Sequence, residues 1–145
     1  MTHIINVADR VFYLPTTSTN IVFKHPVRLN DYGKTRITRE LLSGIFELID
    51  QGRNQENNNV LVHCEVGVNR SALVVLAYLC CRSRERYDYT LDENWRWLKT
   101  LRDISINHSY LGQLRLLMPA WQRELKSQRE SQFGNATEND ENDPV

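Results

Sequence analysis

The stretch that decides the fold is Val60-Leu61-Val62-His63-Cys64-Glu65-Val66-Gly67-Val68-Asn69-Arg70-Ser71-Ala72-Leu73-Val74-Val75-Leu76-Ala77-Tyr78-Leu79-Cys80. Its first three residues are an unbroken apolar run, suited to a central strand buried on both faces. From Ser71 onward the sequence is apolar nearly all round, which at this length reads as a helix in the middle of a small domain. Between them a tight loop is expected, with backbone N–H groups converging at a helix N-terminus, and such a loop binds phosphate. Glu65, Val66, Gly67, Val68 and Asn69 supply the N–H groups. Gly67 permits the torsion and close approach that the curl requires. Arg70 adds a planar fork of donors for two phosphate oxygens at once, a geometry lysine lacks.

Cys64 opens this loop, where the helix dipole, the N–H donors and Arg70 all favour its thiolate. A thiol that titrates near ~8.5 in isolation falls to roughly 3.5–7.5 in such surroundings. The thiolate can attack phosphorus in line with the leaving oxygen and split one hard hydrolysis into two easier steps through a phosphocysteine. The charge spread over the equatorial oxygens is then held by the same N–H groups and Arg70. Ser71 can give its hydroxyl to the sulfur when the thiolate leaves. His63 is placed to hold the loop from behind. The leaving oxygen also needs a proton from a carboxylic acid elsewhere in the fold. Asp31, in the Asp31-Tyr32-Gly33 turn after a strand and 33 positions before Cys64, is the first choice, and Asp9, after the first strand, is its rival, loops being where catalytic groups concentrate.

Outward from this loop the chain alternates strand and helix. Ile4-Ile5-Asn6-Val7 and Ile21-Val22-Phe23 read as strands, separated by a loop marked by Pro15 and the polar residues 16–20. Thr38 can cap a helix whose Leu41, Leu42, Ile45, Phe46, Leu48 and Ile49 recur at helical spacing, ended by Gly52 and an Asn-rich stretch to Asn59. Thr90-Leu91-Asp92-Glu93 has the form of a capping box and opens a helix with Trp95, Leu98 and Leu101 on one stripe. A last helix is expected from Ser109 to about Lys126. The three tryptophans, Trp95, Trp97 and Trp121, read as core or near-core anchors. The whole implies an α/β layer with a mainly parallel central sheet flanked by helices. Residues 1–127 form one domain on this reading, and residues 128–145 a disordered acidic tail with nothing to bury. Asn135-Ala136-Thr137 matches a glycosylation acceptor only by chance on this reading.

A chain of 145 residues and 17.0 kDa, 41% hydrophobic and 25% charged, suits one core. Formal net charge is zero. No basic block or row of aromatics suggests a nucleic-acid groove, so attraction for anions must be local. The first residues lack the pattern of a signal peptide and no apolar run reaches a membrane span, which sets the expectation of a soluble protein of the cytoplasm or nucleus. Cys64, Cys80 and Cys81 have no metal-ligand spacing to any histidine, so neither metal nor cofactor is expected. Cys80 and Cys81 read as small buried hydrophobes.

His63-Cys64-x-x-Gly67-x-x-Arg70-Ser71 together with its helix resembles the dual-specificity branch of the protein tyrosine phosphatase superfamily. Ile5-Asn6-Val7-Ala8 is similar to the strand before the acid loop of that family, and the resemblance, which covers roughly residues 3 to 125, singles out Asp31 over Asp9 as the general acid. Asn107-x-Ser109-Tyr110-x-x-Gln113-Leu114 is similar to a family segment whose Asn helps order the active-site loop. Three departures stand out. The chain begins almost at the Ile-Asn-Val strand, where typical members have further strands and a helix. Glu65 adds a negative charge beside the nucleophile, and Ser109 replaces a usual Gly. The resemblance implies phosphorylated protein substrates, because the lysines that lipid-directed members carry in the loop are missing. It also implies a shallow site accepting phosphotyrosine and phosphoserine/threonine, because no tyrosine-recognition segment is present. The alternative is a pseudophosphatase that binds phosphoproteins or a partner without turnover. Oligomeric state is not legible.

Overall fold

In a computed structural model, residues 2–10, 21–54, 59–66 and 68–141 are described, with side chains to Gln132. Thr2–Asn6 forms β1, with His3 and Ile5 turned into the core. β1 lies in the middle of a three-stranded parallel sheet, between β2 (Ile21–Lys24) and β3 (Asn59–His63). Thr2 stands opposite both Ile21 and Asn59, and Asn6 opposite His63. Parallel neighbours need long crossovers, and α1 (Arg39–Arg53) supplies the one between β2 and β3.

α1 starts where Thr38 Oγ1 accepts the Leu41 N–H (3.1 Å), and it buries Leu42, Ile45, Phe46 and Ile49. α2 (Arg70–Cys81) is buried on almost every side, as its composition demands. α3 (Leu91–Leu101) opens with both halves of the capping box formed by Thr90 and Glu93. α4 (His108–Glu141) closes the core with Tyr110, Leu114, Met118 and Trp121. Phe46 ties the helices together. Its ring meets Tyr78 edge-on at 5.5 Å and stacks on Trp121 at 5.8 Å. None of the described helices is long and apolar enough to cross a membrane.

Four expectations need correction. β3 is not central: β1 takes the middle position, and β3 lies at the edge of the described sheet with Leu61 51% exposed. The expected stripe on α3 is met only in part: Trp95 and Leu98 pack on the core beside the buried Leu91 and Asn94, whereas Leu101 faces out. Trp121 is buried and Trp95 half-buried, whereas Trp97 lies at the surface beneath the Arg86 guanidinium, 4.5 Å from its ring centre. α4 does not stop near Lys126; its backbone stays helical to Glu141, through Gln128, Arg129 and Glu130, which have good helix propensity. Among the described side chains the last one packed on the core is Leu125. The loop at Pro15 and residues 16–20, the Asn-rich residues 55–58 and Gly67 lie outside the described residues.

Phe46→Ala removes a fully buried ring from the junction of α1, α2 and α4 and is expected to cost about 3–5 kcal/mol. Leu116→Ala, at a site 87% exposed, should stay within about 0.5 kcal/mol of the parent. Urea unfolding of the two variants beside the parent checks both.

Candidate active site

The strand β1 ends in a stitched turn. Asn6 Oδ1 accepts the Ala8 N–H (2.9 Å) while its Nδ2 donates to the Arg10 carbonyl (2.9 Å). His25 Nε2 donates to the Ala8 carbonyl (2.8 Å), and the Leu29 N–H bonds the Val7 carbonyl (3.0 Å). This frame delivers the Asp9 carboxylate and the Leu29 carbonyl to one point, the guanidinium of Arg70.

Arg70 is the first residue of α2, and its side chain is 1% exposed. Nη1 donates to Asp9 Oδ1 (3.0 Å) and to the Leu29 carbonyl (3.1 Å). Nε lies 3.4 Å from Asp31 Oδ1 and Nη2 3.7 Å from Glu65 Oε2. Nε is buried and makes no hydrogen bond among the described residues. Burial opposes the Arg70 charge, yet the Asp9 hydrogen bond and the charges of Asp31, Cys64 and Asp9 outweigh it and raise its pKa above the ordinary guanidinium value. The hydrogen bond from Arg70 in turn lowers the Asp9 carboxyl below its ordinary value. Asp9 is therefore an anion at neutral pH and a poor proton donor.

Cys64 is buried just past the end of β3, and its Sγ lies 3.4 Å from Ser71 Oγ. His63 Nδ1 donates to the Cys64 carbonyl (3.0 Å), behind the loop as its position in the sequence implies. The loop's rim is open: Val66 is 70% exposed and Glu65 is exposed beside it. Asn69 stands at the N-cap of α2 but makes no side-chain cap bond. Its amide is spent elsewhere. Nδ2 donates to the Asp31 carboxylate (3.0 Å) and carbonyl (3.2 Å), and Oδ1 accepts the Asn107 N–H (2.8 Å). The start of α2 thus keeps N–H groups that no cap side chain satisfies, which suits an anion. Cys80 and Cys81 lie elsewhere in the core, where burial pushes their thiols up to about 11 and about 12.

The segment carrying Asp31 is held from two directions. Asn30 Oδ1 accepts the Tyr32 N–H (2.8 Å), and Thr35 Oγ1 accepts the Asn30 N–H (2.9 Å). From the first turns of α4, Ser109 Oγ donates to the Gly33 carbonyl (2.7 Å) and Tyr110 Oη donates to the Asn30 carbonyl. Gln113 bridges the Thr35 carbonyl (3.1 Å) and the Ile37 N–H (2.7 Å). Asn107 contributes differently from the expectation: its side chain caps α4 by accepting the Ser109 N–H (2.8 Å), and its backbone N–H reaches the loop through Asn69.

Cys64, Arg70, Ser71, Asp31, His63 and Asn69 therefore converge. A family model described as "Dual specificity phosphatase, catalytic domain" matches residues 1–118. The chain belongs to the dual specificity phosphatase family. Over 59 residues it is 46% identical to human dual specificity protein phosphatase 16, covering 40% of this chain and 8% of that protein. Over 70 residues it is 45% identical to mouse dual specificity protein phosphatase 2, covering 48% and 20%. The aligned stretches thus span a fifth or less of these relatives' own lengths. The crystal structure of DUSP15 superposes with a TM-score of 0.69 at 22% identity, over 89% of this chain and 77% of that one. The human tyrosine phosphatase-like serine/threonine/tyrosine-interacting protein gives 0.62 at 24% identity, over 79% and 74%. At these identities the likeness is one of fold.

The sequence did not reveal that Asp9 grips Arg70, that Asn6 folds the turn bearing it, or that Ser109 and Gln113 hold the acid segment. Asp9 and Gln113 stood out only for other reasons. Gly33 has φ +80°, and a Cβ there would overlap Asn107 Oδ1 and come within 2.8 Å of Ser109 Cβ. Gly33→Ala is expected to cost roughly 1–3 kcal/mol and to speed amide exchange over residues 30–37. Urea unfolding with exchange mass spectrometry measures both.

Proposed function

We propose that this domain hydrolyses phosphate monoesters on protein side chains, phosphotyrosine and phosphoserine/threonine alike, through a phosphocysteine at Cys64. The observation that carries this reading is the buried Arg70 Nε, a cationic donor without a hydrogen bond, set beside Cys64 and Asp31. A buried unsatisfied donor costs about 1–3 kcal/mol or more when charged, and a phosphate oxygen would satisfy it.

In the first step the Cys64 thiolate attacks phosphorus; the S–P bond forms as the P–O bond to the substrate breaks. Asp31, as the carboxylic acid, gives its proton to the leaving oxygen. In the second step Asp31, now a carboxylate, takes a proton from water whose oxygen attacks phosphorus. The S–P bond breaks, Ser71 donates its hydroxyl to the departing sulfur, and inorganic phosphate leaves. Arg70 and the N–H groups at the start of α2 hold the equatorial oxygens through both steps. The exposed Val66 and Tyr32, 70% and 79% accessible, suit a shallow mouth that takes short and long phosphorylated side chains.

Turnover of an aryl phosphate in the presence of a chelator should vanish in Cys64→Ser. Asp31→Asn should lose about 10²–10⁴-fold in kcat together with the basic limb of the pH profile. A folded Cys64→Ser chain that retains turnover sinks the mechanism.

Glu65 sets a negative charge at the mouth, 3.7 Å from Arg70 Nη2. A phosphate entering about 4 Å from the exposed Glu65 carboxylate would be repelled by about 1 kcal/mol in water. Glu65→Gln should therefore lower KM for a small aryl phosphate about fivefold and reduce the preference for phosphopeptides with basic flanks. Steady-state kinetics on paired basic and acidic phosphopeptides read this out.

A further inference from the structure

The side chain of Arg70 is a lever with several rotatable bonds, and a fork that grips phosphate must be aimed. Its Nε–H bond and the nearer Nη2–H bond run parallel and form the side-on pair that takes two oxygens. Nη1 belongs to the other edge of the guanidinium, and among the described residues this edge alone carries its hydrogen bonds, to Asp9 Oδ1 (3.0 Å) and the Leu29 carbonyl (3.1 Å). Across the side-on pair lie Asp31 at 3.4 Å and Glu65 at 3.7 Å, both too loosely placed to hydrogen-bond it. The guanidinium is thus bound on one edge and open on the one that faces the loop.

We propose that Asp9 is the positioning residue of Arg70, fastening Nη1 so that Nε and Nη2 present their parallel N–H bonds to phosphate. Its own placement is built in. Asn6, buried at the end of β1, folds residues 6–10 through two side-chain bonds, and Leu29 is tied to Val7 of the same turn. One backbone carbonyl alone would leave the planar group free to swing about that bond, whereas two acceptors on Nη1 fix its plane. Asp31 and Glu65 occupy the open edge only until an anion displaces them. Asp9 does not move in this scheme, and it takes no part in proton transfer.

The inference rests on the phosphatase reading for its purpose, but its test does not need turnover. In a Cys64→Ser background, tungstate binding is measured by titration calorimetry for Asp9, Asp9→Ala, Asp9→Asn and Asp9→Glu, with unfolding midpoints for each. Asp9→Ala should weaken tungstate about tenfold or more, and Asp9→Glu, which can still reach Nη1, should recover part of the loss. In the Cys64 protein, Asp9→Ala should lower kcat/KM while the basic limb of the pH profile stays where Asp31 sets it. A folded Asp9→Ala that binds tungstate within twofold of its parent overturns the proposal, as does a shift of that basic limb. If Asp9→Ala does not fold, Asp9→Asn is held to the same twofold limit. Tungstate binding by the Cys64→Ser parent with no turnover by the Cys64 protein removes the catalytic reading and leaves the Asp9 test standing. Failure of that parent to bind tungstate overturns both.

Discussion

A guanidinium buried to 1% exposure at the first turn of α2 is the constraint around which the site is arranged. An isolated buried charge is costly, and partners must offset it. Here they come from three places in the chain: Asp9 after β1, Leu29 and Asp31 on the segment between β2 and α1, and Glu65 in the loop itself. Because the charge cannot be left alone, the end of β1, the acid segment and the loop are drawn together before any ligand arrives. The pairing is unequal. Asp9 and Leu29 make firm hydrogen bonds, whereas Asp31 and Glu65 hover beyond bonding reach. That inequality leaves the guanidinium oriented and its side-on edge available.

A second coupling runs through amides rather than charges. Asn69 joins the loop to Asp31 with its Nδ2 and to Asn107 with its Oδ1. Ser109, Tyr110 and Gln113 then hold residues 30–37 from the first turns of α4. These bonds are exposed or part-buried, and it is their number that holds the segment. Cys64, Asp31 and the start of α2 are consequently placed by one shared framework. Ser71, on α2 with Arg70, brings the hydroxyl to Cys64 by the same rigid element.

What the sequence made legible was mostly local. The phosphate loop declares itself because strand, loop and helix are contiguous, and the caps at Thr38 and Thr90 because their partners lie three residues away. Strand order is not local. β3 is as apolar as a central strand, yet the pairing gives the middle to β1 and leaves Leu61 exposed. Asp9 and Arg70 are 61 positions apart, and nothing near Asp9 announces its partner. The residue reading preferred Asp31 to Asp9 as the acid and the family resemblance strengthened that choice; neither showed that Asp9 bonds Arg70 Nη1 while Asp31 lies 3.4 Å from Nε. The helical spacing of α3 put Trp95 and Leu98 against the core as read and failed only at Leu101, which is exposed at the end of the helix. At α4 the last described side chain packed on the core is Leu125, and the backbone helix runs on past it.

The central claim is that Cys64 takes the phosphoryl group before water does. Rapid acid quench of the protein turning over an aryl phosphate, followed by mass spectrometry of the Cys64 peptide, tests it most directly. The account predicts a phosphoryl group on Cys64 that builds up within the first turnover and is lost as phosphate is released. Release of phosphate with an unmodified Cys64 at every quench time, or with the label on another residue, would contradict it.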